Sequence, residues 1–360
     1  MSILPNQIHS LIANFRVQGV VDSVSQTNVG HVNQTYFSKC VDKEHLHRYT
    51  HQRINTNVFK NPEAMMHNIV LVTKHIQEKL KLEFDDISQR CLEVVPTLDG
   101  APLYEDREGG VWRTYRYIDN VTTIETVSNT NEAFLLGASV GTFQSQLADF
   151  DGSLLSVTIE DFHEMRVRYA QLDEAVRLDR VGRSKYVVKE LEFLYANKER
   201  GCIISDLMSA GKLPIRVTHN DTKISNVLFS KDKTEGLCII DLDTVMPGTI
   251  LFDTGDMIRS ATSLAAEDEE DLSLVTFNVD LYNALLDGYR SKAQFLTVEE
   301  ERLLKESGRT MTQIMAVRFL TDYLNGDRYY RIERVQHNID RARNQIALIK
   351  DMDRRWAEIS

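Results

Sequence analysis

The stretch of this 360-residue chain richest in chemistry runs from Val217 through Thr218, His219, Asn220, Asp221, Thr222, Lys223, Ile224, Ser225 and Asn226 to Phe229. It is followed by Leu237-Cys238-Ile239-Ile240-Asp241-Leu242-Asp243. An apolar, β-type run enters a polar loop, Val227-Leu228-Phe229 leads out, and a second run from Leu237 to Ile240 ends in a carboxylate. Folded as a hairpin, this pattern aims Asp221, Lys223, Asn226 and Asp241 at one point. That mixture suits phosphoryl transfer from ATP, which needs a carboxylate to orient and deprotonate a hydroxyl, oxygen ligands for Mg2+, and a cation near the transferred group. Asp221 is the candidate base. Asn226, five residues on, offers an amide oxygen to Mg2+, Asp241 supplies the main metal carboxylate, and Lys223 offsets charge on the phosphoryl group. An isolated Asp in a His-x-Asp tripeptide is ordinarily a turn residue, so it is the full set at this spacing that carries the reading. His219 reads as a hydrogen-bonding residue that holds the loop.

These side chains need a frame. Ile8, Leu11, Ile12 and Phe15 recur at the helical period and predict a first helix. From Val17 to about Ile54, an Asn- and Gly-rich turn around Gln26–Asn33 and the aromatic runs beyond it read as strand, turn, strand, loop, strand. Asn61-Pro62-Glu63 starts a helix whose face carries Met66, Ile69, Val70, Thr73, Ile76 and Leu80. Strands around Leu92–Pro96 and Val111–Ile118 complete a small, mostly antiparallel lobe over residues 1–118. Residues 119–360 read as a larger, mainly helical lobe. Leu136, Val140, Phe143 and Leu147 form a core stripe, and helical patterns cover 186–198, 272–290, 298–325 and 335–357. The β-like patch Arg216–Ile240 interrupts them, 148–165 is the longest irregular connection, and the acidic run Asp268–Asp271 reads as a solvated helix start. The fold class is α+β.

Composition narrows the partners. With 42 Lys and Arg against 53 Asp and Glu, the net charge is −11, which argues against a general nucleic-acid or anionic-membrane binder. No apolar run is long enough to span a membrane and no secretory signal is visible, so a cytoplasmic protein is expected. The four cysteines lack metal-ligand spacing and read as small buried hydrophobes.

His219-x-Asp221 with Asn226, then Asp241-Leu242-Asp243, resembles the catalytic loop of the protein-kinase superfamily. The resemblance is to its aminoglycoside-phosphotransferase and choline-kinase branch, in which no Phe-Gly pair follows the metal-binding Asp. Arg216 to Phe229, Ile240 to Gly248 and Asp253 to Arg259 are similar to the N-acetylhexosamine 1-kinase family. So are Gly30 to Tyr36, Gln52 to Asn55, Asn61 to Glu63, Arg318 to Leu324, Gly326-Asp327, Tyr329 and Asn338 to Gln345. The resemblance implies a bilobal protein-kinase-like fold and transfer of the ATP γ-phosphoryl group to the anomeric hydroxyl of N-acetylglucosamine or N-acetylgalactosamine. It implies that Asp221 is the base, that Asn226 and Asp241 hold Mg2+, and that Asp243 adds a ligand through water. Gly30 to Thr35 would cover the phosphates, with hydrogen bonds from Asn33 and Thr35, and Tyr115 to Ile118 would form the hinge that passes the adenine. Arg318 and Tyr329 match positions used near the sugar, with His31 on the same wall.

Two departures stand out. The third strand of most kinases carries a phosphate-pairing Lys, and here that place falls on Gln52 or Arg53 according to register. Alternation puts Tyr49, His51 and Arg53 on one face and Thr50 and Gln52 on the other, and a small Thr50 lining the adenine slot favours Gln52. The Lys–Glu pair is then absent and Glu63 has no partner. Thr254 occupies a position where an aromatic is expected, which implies a packing change. Among plainer readings, Arg318 and Asp322 could form an intrahelical ion pair, Trp356 belongs to a core stripe, and Asp256 serves as a structural acceptor. The competing functions are a kinase of the same fold acting on an aminoglycoside, choline or another amine, and a non-catalytic kinase-like binding protein. Cationic acceptors call for carboxylates in the pocket, which Arg318 does not supply.

Overall fold

A computed structural model describes residues 5–27, 32–43 and 45–359. Strand alternation builds the first lobe. Strands β1 (Val20–Thr27), β2 (Gln34–Asp42) and β3 (His45–Arg53) pair antiparallel in sequence. Helix α2 (Pro62–Glu83) separates them from β4 (Val94–Val95), β5 (Tyr104–Glu105) and β6 (Val111–Arg116), and β6 docks antiparallel on β3. One sheet face is sealed by helix α1 (Pro5–Ile12), where Ile8, Leu11, Ile12 and Phe15 pack with Tyr36, Tyr49 and Trp112. His51 lies on that face, bonded to Ser38 and Thr114, and burial pushes its pKa down to about 3, so it is a neutral connector. The opposite face presents Thr35, Thr50, Gln52, Arg113 and Tyr115 toward the cleft, because successive residues of a strand alternate sides.

Helix α2 begins as its sequence predicts. Asn61 accepts from the Ala64 amide and Pro62 occupies the first turn. Its buried Asn68 donates to the carbonyls of Ser156 and Val245 and accepts from the Ser156 amide, which ties the helix to the second lobe. Glu63 stays exposed on the first turn.

The chain leaves β6 for β7 (Val121–Thr122), which joins the sheet of the second lobe. Helices α3 (Thr130–Gln146), α4 (Met165–Leu178), α5 (Val188–Ala196), α6 (Lys198–Gly201) and α7 (Ile203–Ser209) follow. Next come β8 (Arg216–Thr218), β9 (Val227–Ser230), β10 (Gly236–Ile239) and β11 (Met246–Gly248). Strand β9 lies between β10 and β7, and β11 pairs with β8, so two small sheets flank the loop that holds Asp221. Helices α8 (Ile250–Ala261), α9 (Val279–Lys292), α10 (Val298–Leu324) and α11 (His337–Arg354) complete the lobe around a common apolar core.

The architecture is therefore α+β and bilobal, with an antiparallel N-lobe and a helical C-lobe. No helix among the described residues is long and apolar enough to cross a membrane. One local expectation needs correction. The run Asp268–Asp271 starts no helix; Asp268 is held by Arg334 at 3.0 Å and by His337 at 2.9 Å. The 148–165 stretch is irregular as expected, apart from a short 3-10 turn at Gly152–Leu154, until α4 begins at Met165, and α8 covers the Asp253–Arg259 block. In α8, Thr254 replaces bulk with closeness: its hydroxyl lies 3.0 Å from that of Ser307 on α10, and Gly255 beside it lets the α10 backbone approach.

Candidate active site

The loop after β8 is shaped from beneath by Asp253 on α8. Its carboxylate, wholly buried, accepts from the amides of His219 (3.0 Å) and Asn220 (2.6 Å) and from Gln144 of α3 (2.9 Å). Its carbonyl accepts from the Thr222 hydroxyl. Burial raises the Asp253 carboxyl and these donors oppose the rise. Asn220 then adopts a left-handed backbone (φ 67°), which Asn tolerates, and its amide donates to Thr218 Oγ1 and the Thr244 carbonyl. His219 holds the loop, as expected: Nε2 bonds the Ile240 carbonyl at 2.9 Å and Nδ1 accepts from the Asp221 amide.

The result brings Asp221, Lys223 and Asn226 together. Asp221 Oδ2 receives Lys223 Nζ at 2.9 Å and Asn226 Nδ2 at 2.9 Å. Burial alone would raise the Asp221 carboxyl, but Lys223, with His219 and Asn226, outweighs it and holds the group below the ordinary carboxylate range. Asp221 is thus ionised at neutral pH. The side chains of Asp221 and Lys223 keep 32 % and 42 % of their surface open, so a substrate can reach them.

Asp241 follows β10 in a left-handed conformation (φ 64°). Burial, then the charges of Asp243 and Asp221, push its carboxyl up to about 6. That excess of buried negative charge, and the hard oxygen donors of Asp241 and Asn226, fit a small divalent cation. The Asn226 nitrogen is committed to Asp221, which leaves its oxygen for the metal. Among the described residues no group of three His, Cys, Asp or Glu side chains could hold a metal by itself. A site with two protein ligands leaves the remaining positions to phosphate and water, as Mg2+ prefers.

Asp243 lies at the seam between the lobes. Both its oxygens meet the N-lobe: Asn33 donates to Oδ2 at 2.7 Å, and Arg113 approaches Oδ1 at 2.5 Å. It is a clasp between the lobes. Asn33 also accepts from the Asn55 amide, and Thr35 accepts from Gln52. Register places Gln52, not Arg53, on the cleft face; Arg53 points to the other face, near Asp106. Asn33, Thr35, Gln52 and Asp243 therefore converge. Gly30 and His31 lie outside the described residues.

Arg318 of α10 lies 5.1 Å from the ring centre of Phe162, 5.7 Å from Tyr329 and 5.6 Å from Tyr330. No carboxylate among the described residues pairs with it. Asp322, one turn on and the partner in the plainer reading of Arg318, instead accepts from the amides of Arg328, Tyr329 and Tyr330 and from Asn338. It thereby fixes the bend that carries Tyr329. Arg168 lies close enough to Arg318 to repel it, and burial, then this repulsion, lowers its pKa. His163 joins this wall to the catalytic loop. It bonds the Asn220 carbonyl at 3.3 Å and stacks near Phe162 and Phe252. Burial, then Arg318, push its pKa down to about 3.

Trp356 lies instead between Arg200 and Lys305, in the helical packing around α10 and α11. Asp256 is paired with Arg259 at 2.9 Å. The sequence reading missed Arg113, Asp253, His163 and Arg168. For Arg113 a signal existed: a charged residue between Trp112 and Thr114, in the middle of a strand with both faces covered.

A family model and several solved structures match this chain. The family described as Phosphotransferase enzyme family (APH) matches residues 83–291, more than half of the chain. Among solved structures, a spectinomycin phosphotransferase in complex with ADP and spectinomycin is 12% identical, with a TM-score of 0.59 and 98% of each chain covered. A microcompartment-associated aminopropanol kinase is 15% identical, with a TM-score of 0.60 and the same coverage. A choline kinase from Streptococcus pneumoniae is 14% identical, with a TM-score of 0.52, covering 97% of this chain and 98% of that one. At these identities the likeness is one of fold.

Proposed function

The chain belongs to the phosphotransferase enzyme family, and from that premise we propose that it is an ATP- and Mg2+-dependent kinase acting on the anomeric hydroxyl of an N-acetylhexosamine, giving the sugar 1-phosphate and ADP. The observation that carries the acceptor class is the wall around Arg318. Arg318 stands there without an ion-pair partner among the described residues, beside the rings of Phe162, Tyr329 and Tyr330, and Arg168, held by the Asp161 and Phe162 carbonyls, adds a second positive charge close by. A cationic acceptor entering this wall would meet like charge. A neutral, oxygen-rich sugar meets hydrogen-bond donors and ring faces suited to its apolar side. The flanking motifs shared with the N-acetylhexosamine 1-kinase family point to the same acceptor.

The chemistry follows from the positions. The acceptor hydroxyl donates a hydrogen bond to Asp221, whose ionised state is secured by Lys223, His219 and Asn226. As the new O–P bond forms and the bond to ADP breaks, the hydroxyl proton passes to Asp221. Because the transition state is loose, little basicity is required, so a carboxylate held low in pKa serves mainly to orient the nucleophile. Lys223, bonded to Asp221 and partly open, faces the charge of the transferred group. When bound by Asp241 and Asn226, Mg2+ would neutralise phosphate charge. Asp253 fixes the loop that presents these groups, and cytoplasmic ATP is the expected donor pool.

The test is ADP release from Mg·ATP with N-acetylglucosamine, N-acetylgalactosamine, glucose, choline and kanamycin offered separately. Turnover with either amino sugar, lost in Asp221→Asn, supports the reading. Turnover confined to choline or kanamycin would replace the acceptor and leave the fold chemistry standing.

A further inference from the structure

The nucleotide face of the N-lobe lacks the strand lysine, yet it does not lack a cation. Thr35, Gln52 and Arg113 stand directly opposite one another across β2, β3 and β6. Gln52 donates to Thr35 Oγ1 at 3.2 Å and accepts from Arg113 Nε at 2.9 Å and Nη2 at 2.8 Å. The guanidinium that results is 1 % exposed and reaches Asp243, itself 3 % exposed, across the cleft. It also acts on Asp241 and lies 5.1 Å from the Tyr115 ring centre.

We propose that Arg113 takes over, from the neighbouring strand, the role of the missing β3 lysine: a positioning residue that sets the nucleotide-binding geometry through Gln52 and Asp243. Three observations support this. The glutamine that displaced the lysine is spent as an adapter, its carbonyl gripping the arginine that now brings the charge. The counter-ion does not come from α2: the residue of α2 that meets Arg113 is Met66, whose sulfur is 3.8 Å away, and Glu63 is turned outward. The pair is therefore made between the lobes, so the cation both balances the carboxylates under the phosphates and fixes how the sheet sits over Asp241. Finally, among the described residues Lys223 and Arg113 are the cations that act on Asp241, so without Arg113 the charge of Asp221, Asp241 and Asp243 would be opposed mainly by Lys223. Buried carboxylates with so little compensation would repel a polyphosphate even with a divalent cation bound.

The inference rests on the phosphotransfer reading but on no particular acceptor, so binding of Mg·ADP is measured without one. Two variants isolate the effect from folding. In Arg113→Gln/Asp243→Asn both charges are removed and the hydrogen-bonding shape is kept. In Gln52→Lys/Arg113→Gln the cation returns to β3 with Asp243 intact. By calorimetry, the neutral pair should bind Mg·ADP about tenfold more weakly, a coupling of ordinary size between linked sites. Its KM for ATP should rise in parallel while the KM for the acceptor is unchanged. The relocated cation should recover binding to within about threefold of the unsubstituted protein. Binding by the neutral pair within about twofold of the unsubstituted protein would overturn the proposal. Should the neutral pair not fold, the relocated variant decides alone: recovered binding supports the proposal, and a tenfold loss or a failure to fold overturns it.

Discussion

Asp253→Asn tests whether the buried carboxylate beneath the catalytic loop shapes it. The two loop amides and Gln144 all donate to Asp253, His219 and Gln144 to one oxygen and Asn220 to the other. An asparagine keeps only one acceptor, and its least disruptive orientation turns the new amide group against the Asn220 N–H, formerly bonded at 2.6 Å. One hydrogen bond to a charged group is lost, at about 1.5–3 kcal/mol, and a buried donor is left facing a donor at about 1–3 kcal/mol; the terms overlap, so roughly 2–4 kcal/mol is expected. The ionised carboxylate is itself disfavoured by burial, which keeps the figure from the upper sum. At roughly 2 °C per kcal/mol for a long chain, the unfolding midpoint should fall by about 4–8 °C. Because Asp221 follows Asn220, a displacement of the loop should lower kcat by about 10- to 100-fold with little change in KM for ATP. Differential scanning calorimetry and steady-state kinetics read both. A midpoint within about 1 °C of the unsubstituted protein, with kcat unchanged, would refute the assignment of loop shape to Asp253.

Three further outcomes follow from the same geometry. Arg318→Ala removes the cation that contacts three aromatic rings and should raise KM for the acceptor by about tenfold, at roughly 1–2 kcal/mol, while leaving KM for ATP unchanged; a larger effect on ATP would displace Arg318 from the acceptor wall. Gly255→Ala would set a methyl 2.5 Å from the Ser307 carbonyl, so thermal melts should show a loss of about 1–3 kcal/mol, and an unchanged midpoint would mean α8 and α10 separate easily. His51 and His163 have folded pKa values lowered to about 3, below the ordinary 6.5, so the unfolded chain binds more protons on acidification. Stability should therefore fall as pH drops below about 6.5, by up to roughly 1.4 kcal/mol per pH unit for each histidine until pH nears 3; a flat profile between pH 7 and 5 would contradict their buried neutral state.

The clustering of His219, Asp221, Lys223 and Asn226 was legible because these residues lie close in sequence and their spacing is itself the constraint. The register of β3 was legible too, since alternation around Thr50 and Gln52 obeys the strand period. What the chain does not announce is pairing across distance. Nothing next to Asp243 in the chain announces Arg113, which β6 brings to it, and nothing next to Asp322 announces the bend at Arg328–Tyr330, which claims that carboxylate. Helix α8 was hidden by Thr254 and Gly255, weak helix formers that are there because α10 packs so closely. Asp268–Asp271 has the composition of a helix start, but Arg334 and His337 offered Asp268 a better partner than a helix N-terminus would.

Phosphorus-31 NMR of Mg·ATP incubated with N-acetylglucosamine or N-acetylgalactosamine addresses the acceptor atom itself. The account predicts growth of a phosphate monoester resonance coupled to the anomeric proton, matched by ADP and absent with Asp221→Asn. A phosphate on any other carbon, or product only from an amine-bearing acceptor, would contradict it.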